Sequence, residues 1–396
     1  MSVPLLDLKP QNLPLEAELT AAFLRVLRSG HYILGPELER FEADMTRLLG
    51  VRHALGVSSG TDAILLALMT LGIGPGDEVI VPSFTFFATG GCVARVGAQP
   101  VFADVCPVCF NLDVADAARR ITPRTKAIVP VHLYGQSADL DALGALATRH
   151  SLQIIEDGAQ ALGAKYRGRP VGGFGAFGTF SFFPSKNLGA LGDAGLLVTQ
   201  DDALAEKARL LRLHGAKPKY YHHLVGANFR MDALQAAFLS VKAACYDRYT
   251  EARCRNAADY TAQLSRLPGV AVADPARCGC RESMEAVDAS AVRLVLPVAY
   301  PHNEHIWNQY TLRVLGPGRR DALRTHLQAK GIGTEIYYPV PLHAQPCFAG
   351  KSDAETPRLP VSERLAQEVI SLPIYPELTG DQRAEVIAAI REFLGA

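Results

Sequence analysis

The 396-residue chain has no excess of charge of either sign: 40 lysines and arginines balance 40 aspartates and glutamates. A chain without a global field is not built to coat nucleic acid or an anionic lipid surface, which leaves only local basic pockets for phosphorylated ligands. Long hydrophobic runs are missing as well. The longest apolar stretch, AILLALMTLGI at 63–73, is too short to span a bilayer and stops at a Gly-Pro-Gly turn. The N-terminus, MSVPLLDLKPQ, lacks the basic n-region and apolar h-region of an export signal, so a cytoplasmic location is expected. Internal repeats and low-complexity tracts are also missing.

Cysteine is too sparse for a disulfide scaffold, with eight in a chain of this length. Cys106 and Cys109 form a CxxC, and Cys278 and Cys280 a CxC. No histidine stands at ligand spacing from either pair, so buried thiols are expected rather than a metal site.

What is present is alternation. DEVIVPS (77–83), QPVFADV (99–105), TKAIVPVHLYG (125–135), LQIIED (152–157), FGTFSFF (177–183) and GLLVT (195–199) have the composition of strands. Helix-like stretches such as ADLDALGALATRHS (138–151), apolar at steps of three and four, lie between several of them. This order predicts an α/β fold with a mostly parallel sheet covered on both faces, whose ligands gather at the carboxyl ends of the strands. After residue 200 the pattern becomes helical, and 231–267 reads as one long connecting helix. The expected division is a large α/β domain at 1–245, including an N-terminal arm, and a smaller α+β domain at 246–396. Residues 274–292 read as irregular loop.

GFGAFG at 173–178 matches the glycine pattern of a dinucleotide-binding loop. That loop needs a strand before it and a helix after it. Here a turn-rich segment precedes and a β-rich one follows, so Gly173, Gly175 and Gly178 read as turn and close-packing residues. Just beyond, SFFPSKN (181–187) presents Lys186 after a proline break. SSGTDA (58–63) opens directly into a helix, where backbone N–H groups and the hydroxyls of Ser59 and Thr61 suit either a phosphate or a plain N-cap. IIEDGAQ (154–160) carries an apolar strand into two acids. Asp157 then sits at a strand end, as the partner of a protonated ring nitrogen or as a cap for the next turn.

Taken in order, these segments resemble the DegT/DnrJ/EryC1/StrS family of sugar aminotransferases that use pyridoxal 5′-phosphate. The resemblance runs through GHYILGPELERFE (30–42), SSGTDA, GDEVIVPSFTFFAT (76–89), PVHLYG (130–135) and IIEDGAQALGA (154–164). It continues in FSFFPSKNLGALGDAG (180–195), NFRMDALQAA (228–237) and GIGTEIYYPVPLH (331–343). It implies the type I aminotransferase fold, with the cofactor held between two domains of a homodimer. By that resemblance Lys186 is the Schiff-base lysine and Asp157 the partner of the pyridine nitrogen. Gly60, Thr61 and Ser181 form the phosphate set, Phe86 stacks on the ring, and Gln160 meets its hydroxyl face. Phe84 and Phe87 are expected in the core. Asn228 corresponds to a residue that reaches the phosphate from the neighbouring subunit, so the active site is expected to be shared.

The implied reaction moves an amino group from an amino acid, usually glutamate in this family, to a keto sugar carried on a nucleotide. NLGALGD is closer to relatives that aminate C3 than to those that aminate C4. Arg230, His305, Tyr310 and His343 fall in regions that usually face the sugar nucleotide; a solvated arginine, a surface histidine and a half-buried tyrosine are the alternatives. Two other functions stay open: dehydration or epimerisation on the same cofactor, and a regulatory protein that has lost catalysis. Retention of Lys186 opposes the dehydratases, in which histidine replaces the lysine, and the intact pair of Asp157 and Lys186 opposes the loss of catalysis.

Overall fold

The computed structural model describes residues 2–277, 291–348 and 358–395. The Cys278–Cys280 pair and most of the 274–292 stretch lie outside the described residues. The first half of the chain supplies strands β1 (His53–Val57), β2 (Glu78–Pro82), β3 (Gln99–Ala103), β4 (Thr125–Ile128) and β5 (Gln153–Asp157). A short ribbon follows, β6 (Lys165–Tyr166) and β7 (Arg169–Pro170), and then β8 (Phe177–Ser181) and β9 (Gly195–Thr199). Seven of these form one sheet in the order β1-β9-β8-β5-β4-β2-β3. Only β9 runs against the others, pairing antiparallel with β1 and β8. The six expected strands are present, and β1 is an addition. Its Gly56, where a Cβ would lie 2.6 Å from Leu38 Cδ1, obscures a five-residue strand but lets a helix pack closely on it.

Strands such as β2 are buried along their whole length, as sheets covered on both faces require. The helix Gly60–Leu71 is buried on nearly every side, between the sheet and the helices Phe87–Arg95 and Asp202–Arg212. The run read as a strand at 125–135 stops at Ile128, and its PVHLYG end folds into a tight turn at Leu133–Gly135.

The long helix expected at 231–267 is two helices, Ala233–Ala243 and Tyr246–Leu264, interrupted at Ala244 and Cys245. Beyond them, β10 (Val270–Val272), β11 (Leu294–Leu296), β12 (Asn303–Glu304), β13 (Tyr310–Val314) and β14 (Val369–Leu372) complete the strands. A second sheet has the order β10-β11-β13-β14, while β12 joins the β6–β7 ribbon and so ties the second unit to the first. The N-terminal arm packs with this second unit. Val3 donates its N–H to Gly331 O at 2.9 Å, pairs with Ile332, and is buried among Leu312, Leu323 and Ile370. Val3 and Leu6 thus pack with the core of the small sheet.

Candidate active site

The carboxyl ends of β1, β5 and β8 converge with the start of the Gly60–Leu71 helix. Ser59 caps that helix: its Oγ accepts from Asp62 N at 3.0 Å and its carbonyl from Ala63 N at 3.0 Å. The Ser59 hydroxyl accepts the capping bond and keeps its own proton to donate. The N–H groups of Gly60 and Thr61, first in the helix, take no acceptor among the described residues. Such donors at the positive end of a helix dipole form an anion site. Ser181 lies against them; a Cβ on Gly60 would stand 2.8 Å from Ser181 Cβ. The Ser181 hydroxyl accepts from Phe183 N at 3.2 Å and keeps its own proton to donate.

Asp157, the last residue of β5, is buried. Its Oδ2 accepts from Thr89 Oγ1 at 2.8 Å and its Oδ1 from Ala159 N at 3.1 Å. Burial raises its pKa, while these donors and the charge of Lys186 pull the other way. No cation is bonded to it among the described residues. Lys186 stands on the loop after β8, where its N–H closes a turn on Phe183 O at 2.8 Å. The same loop folds so tightly that a Cβ on Gly189 would lie 2.2 Å from Pro184 O. The amine of Lys186 has no hydrogen-bond partner among the described residues. Enclosure lowers it from 10.5 to about 8, against the opposing pull of Asp157. A half-neutral amine, a buried carboxylate without a bonded cation, and two open N–H groups beside a hydroxyl match an aldehyde, a protonated ring nitrogen and a phosphate. The residues fit pyridoxal phosphate.

Phe86 is 58% exposed, with its ring centroid 6.2 Å from that of Tyr338. Gln160 is buried and held at both ends: its Oε1 accepts from Tyr134 N at 2.7 Å and its Nε2 donates to Tyr338 Oη at 3.1 Å. Phe84 is fully buried, as expected, but Phe87 is not. Phe87 starts a surface helix, is 45% exposed, and stacks on Phe348 at 5.6 Å. Thr89, Tyr134 and Tyr338 were missed. Thr89 carries no pattern of its own in TFFAT, and Tyr338 lies 178 residues from the Gln160 it contacts.

The four residues expected to face the sugar divide. Arg230 is half-buried and its backbone pairs with Val57, three residues before Gly60; its Nε is enclosed without a partner. His305 is instead an interior residue. It stacks on Trp307 at 3.8 Å and 8°, its Nδ1 accepts from Trp307 N, and burial lowers its pKa to about 3, so the ring stays neutral. Tyr310 lies wholly inside the second unit, its hydroxyl paired with Thr261 Oγ1 at 2.8 Å. His343 is a buried tie, with Nδ1 2.6 Å from Ser83 Oγ and Nε2 3.3 Å from Glu363 Oε1. All three are buried, and Tyr310 and His343 bond to other side chains of the protein. Asn228 is exposed, its backbone paired with Leu213 and its side chain without a hydrogen-bond partner among the described residues. Among the described residues no cluster of His, Cys, Asp and Glu could hold a metal ion, and no helix is long and apolar enough to cross a membrane.

The mostly parallel sheet, with a lysine and a buried aspartate at its carboxyl edge, defines a type I pyridoxal-phosphate aminotransferase. The model of the DegT/DnrJ/EryC1/StrS aminotransferase family matches residues 14–391, and the chain belongs to that family. It is 46% identical over 391 residues to a dTDP-3-amino-3,4,6-trideoxy-alpha-D-glucose transaminase of Streptomyces venezuelae, covering 99% of this chain and 96% of that one. It is also 47% identical over 393 residues to a pleiotropic regulatory protein of Geobacillus stearothermophilus, covering 99% of each. The crystal structure of S. venezuelae DesV in complex with a ketimine intermediate superposes with a TM-score of 0.90 at 46% identity, covering 100% of this chain and 99% of that one.

Proposed function

We propose that the protein transfers an amino group from an amino acid, L-glutamate, to a keto carbon of a nucleotide-linked sugar, at C3 in preference to C4. The observation that carries this reading is the unpartnered Lys186 amine, lowered to about 8, in the field of the buried Asp157 carboxylate. The S. venezuelae relative, named for a 3-amino sugar, supports the choice of C3.

When bound, pyridoxal phosphate supplies a ring that accepts the electron pair released at the substrate carbon. The protein's part is to hold and to move protons. Gly60 and Thr61 N–H groups and the Ser181 hydroxyl take the phosphate. Asp157 would keep a proton on the ring nitrogen, Phe86 would offer an aromatic face to the ring, and Gln160 would serve its hydroxyl. Lys186, lowered to about 8, is half neutral at pH 8, and its free amine would remove the proton from the donor's α-carbon as a general base. Return of that proton by Lys186 on the far side of the donor's nitrogen, followed by addition of water at the former α-carbon, would release the 2-oxo acid and leave the amino group in the site, and the sugar's amination would use the same groups in reverse. Arg230, with its enclosed and unpartnered Nε, is the one of the four candidates that keeps a charge for the sugar's phosphates.

The same reading makes the protein a cytoplasmic homodimer with Asn228 reaching the phosphate of a second subunit. The exposed side chains of Phe23, Leu27, Tyr32 and Ile33 are apolar surface that such a partner would cover. The name of the Geobacillus relative favours a regulatory role. An intact lysine and aspartate pair is nevertheless what catalysis requires and regulation does not.

The test uses the loaded protein. L-Glutamate should yield one 2-oxoglutarate per site in the absence of sugar, and a nucleotide-linked 3-keto sugar should then receive the amine, located by NMR of the product. Failure of every donor to give a half-reaction would overturn transamination; amination of only 4-keto sugars would overturn the choice of carbon.

A further inference from the structure

The glycine-rich loop that mimics a dinucleotide cradle does hold an anion, and the anion is the protein's own. Glu156 is fully buried next to Asp157 in β5, on the opposite face of the strand. Its Oε1 accepts from Phe174 N at 2.7 Å and Gly175 N at 2.8 Å. Its Oε2 accepts from Gly172 N at 2.7 Å and lies 3.0 Å from His132 Nε2. The other nitrogen of His132, Nδ1, accepts from Ala138 N at 3.1 Å, which puts the ring's proton on Nε2 and makes it a donor to Glu156. Four donors thus converge on one carboxylate. Burial pushes its pKa up, and the hydrogen bonds outweigh that and hold it below the ordinary value. The loop needs its glycines to do this: Gly172 has φ of +98°, and a Cβ on Gly175 would lie 2.4 Å from Ile154 O.

The segment pinned by this carboxylate is the one that frames Asp157. Asp157 N donates to Pro130 O at 2.8 Å, and His132 N donates to Asp157 O at 2.9 Å. Two residues on, Tyr134 N donates to Gln160 Oε1 at 2.7 Å. His132 therefore binds Glu156 through its side chain and Asp157 through its backbone, and the same turn orients Gln160.

We propose that Glu156, His132 and the Gly172–Gly175 loop form a positioning unit that sets the Asp157 carboxylate against the cofactor's ring nitrogen. The proposal rests on the assignment of Asp157 to that nitrogen. Glu156 is a positioning residue and touches neither cofactor nor substrate. It must be an anion, because each of its oxygens meets two donors; glutamine turns an NH2 group onto one such pair and loses both bonds. Freed on that side, residues 130–134 no longer hold Asp157 and Gln160 in register.

The experiment compares the affinity of the apoprotein for pyridoxal phosphate with that for its 1-deaza analogue, in which C–H replaces the ring nitrogen. The wild type should prefer the true cofactor on the order of 10–100-fold, the worth of a hydrogen bond to a charged group. In Glu156→Gln that preference should fall to within about threefold of unity, with affinity for the analogue kept within about twofold. A wild type without preference would remove the Asp157 assignment, and this proposal with it. A preference retained in full by Glu156→Gln, or an equal loss of both ligands, would overturn the positioning unit alone. Should Glu156→Gln not fold, His132→Leu removes one donor of the four; its preference should drop about threefold, and an unchanged preference overturns the proposal.

Discussion

Thr89 Oγ1 donates a 2.8 Å hydrogen bond to Asp157 Oδ2, and both side chains are buried. Burial disfavours the charged form of Asp157, and this bond, with that from Ala159 N, opposes the effect. Thr89→Val keeps the shape and deletes the donor. Titration of the apoprotein with pyridoxal phosphate should show affinity about tenfold weaker, since a hydrogen bond to a charged group contributes about 1.5–3 kcal/mol. Thr89→Ser should recover most of it. Unchanged affinity in the valine variant would show that Asp157 does not depend on Thr89.

The pH dependence of cofactor loading follows from Lys186. Only a neutral amine attacks an aldehyde carbon. Because the pKa is lowered from 10.5 to about 8, the amine is mostly charged below pH 8 and mostly neutral above it. The rate of loading, followed by absorbance, should climb roughly tenfold per pH unit from about pH 6 and level off near pH 8. An amine at its ordinary value would keep accelerating to pH 10, and such a profile would contradict the enclosure of Lys186.

Gly60 has no room for a side chain beside Ser181. Gly60→Ala puts a methyl group 2.8 Å from Ser181 Cβ and must part the helix start from the end of β8. The affinity for pyridoxal phosphate should fall by about tenfold or more, whereas that for pyridoxal, which has no phosphate, should change by less than about twofold. Equal losses for both would place the damage outside the phosphate site.

Tyr310 is assigned to the interior. Tyr310→Phe leaves Thr261 without its partner and should lower stability to denaturant by about 1 kcal/mol. The KM for the nucleotide sugar should stay within about twofold of the wild type. A large rise in KM with stability intact would return Tyr310 to the substrate.

Much of the site was legible because its chemistry sits on local patterns. A strand ending in Glu156–Asp157, a small-residue turn into a helix, and a lysine after a proline break each announce themselves within ten residues. The surroundings that were not legible share a different origin. His305 and Tyr310 are near one another in sequence and both end in the core, because Cys254, Tyr260 and Thr261 of the distant helix Tyr246–Leu264 pack against them. His343 is tied to Ser83 across 260 residues, a contact no local pattern encodes. Phe86 and Phe87 are adjacent and alike, and only the helix beginning at Phe87 decides where each points. The interruption at Ala244 and Cys245 also left no mark, since both residues are compatible with a helix interior. The glycine loop, read as turn and close-packing residues, also turns three backbone N–H groups onto Glu156, which only the fold brings to it.

The central claim is that Lys186 is the group that moves the proton. It is tested most directly by a single turnover of Lys186→Ala, loaded with pyridoxal phosphate and mixed with L-glutamate, with 2-oxoglutarate quantified over time. The wild type should release one equivalent per site, and the variant should be slower by on the order of 1,000-fold or more while still binding the cofactor. Release of one equivalent at the wild-type rate would contradict the account.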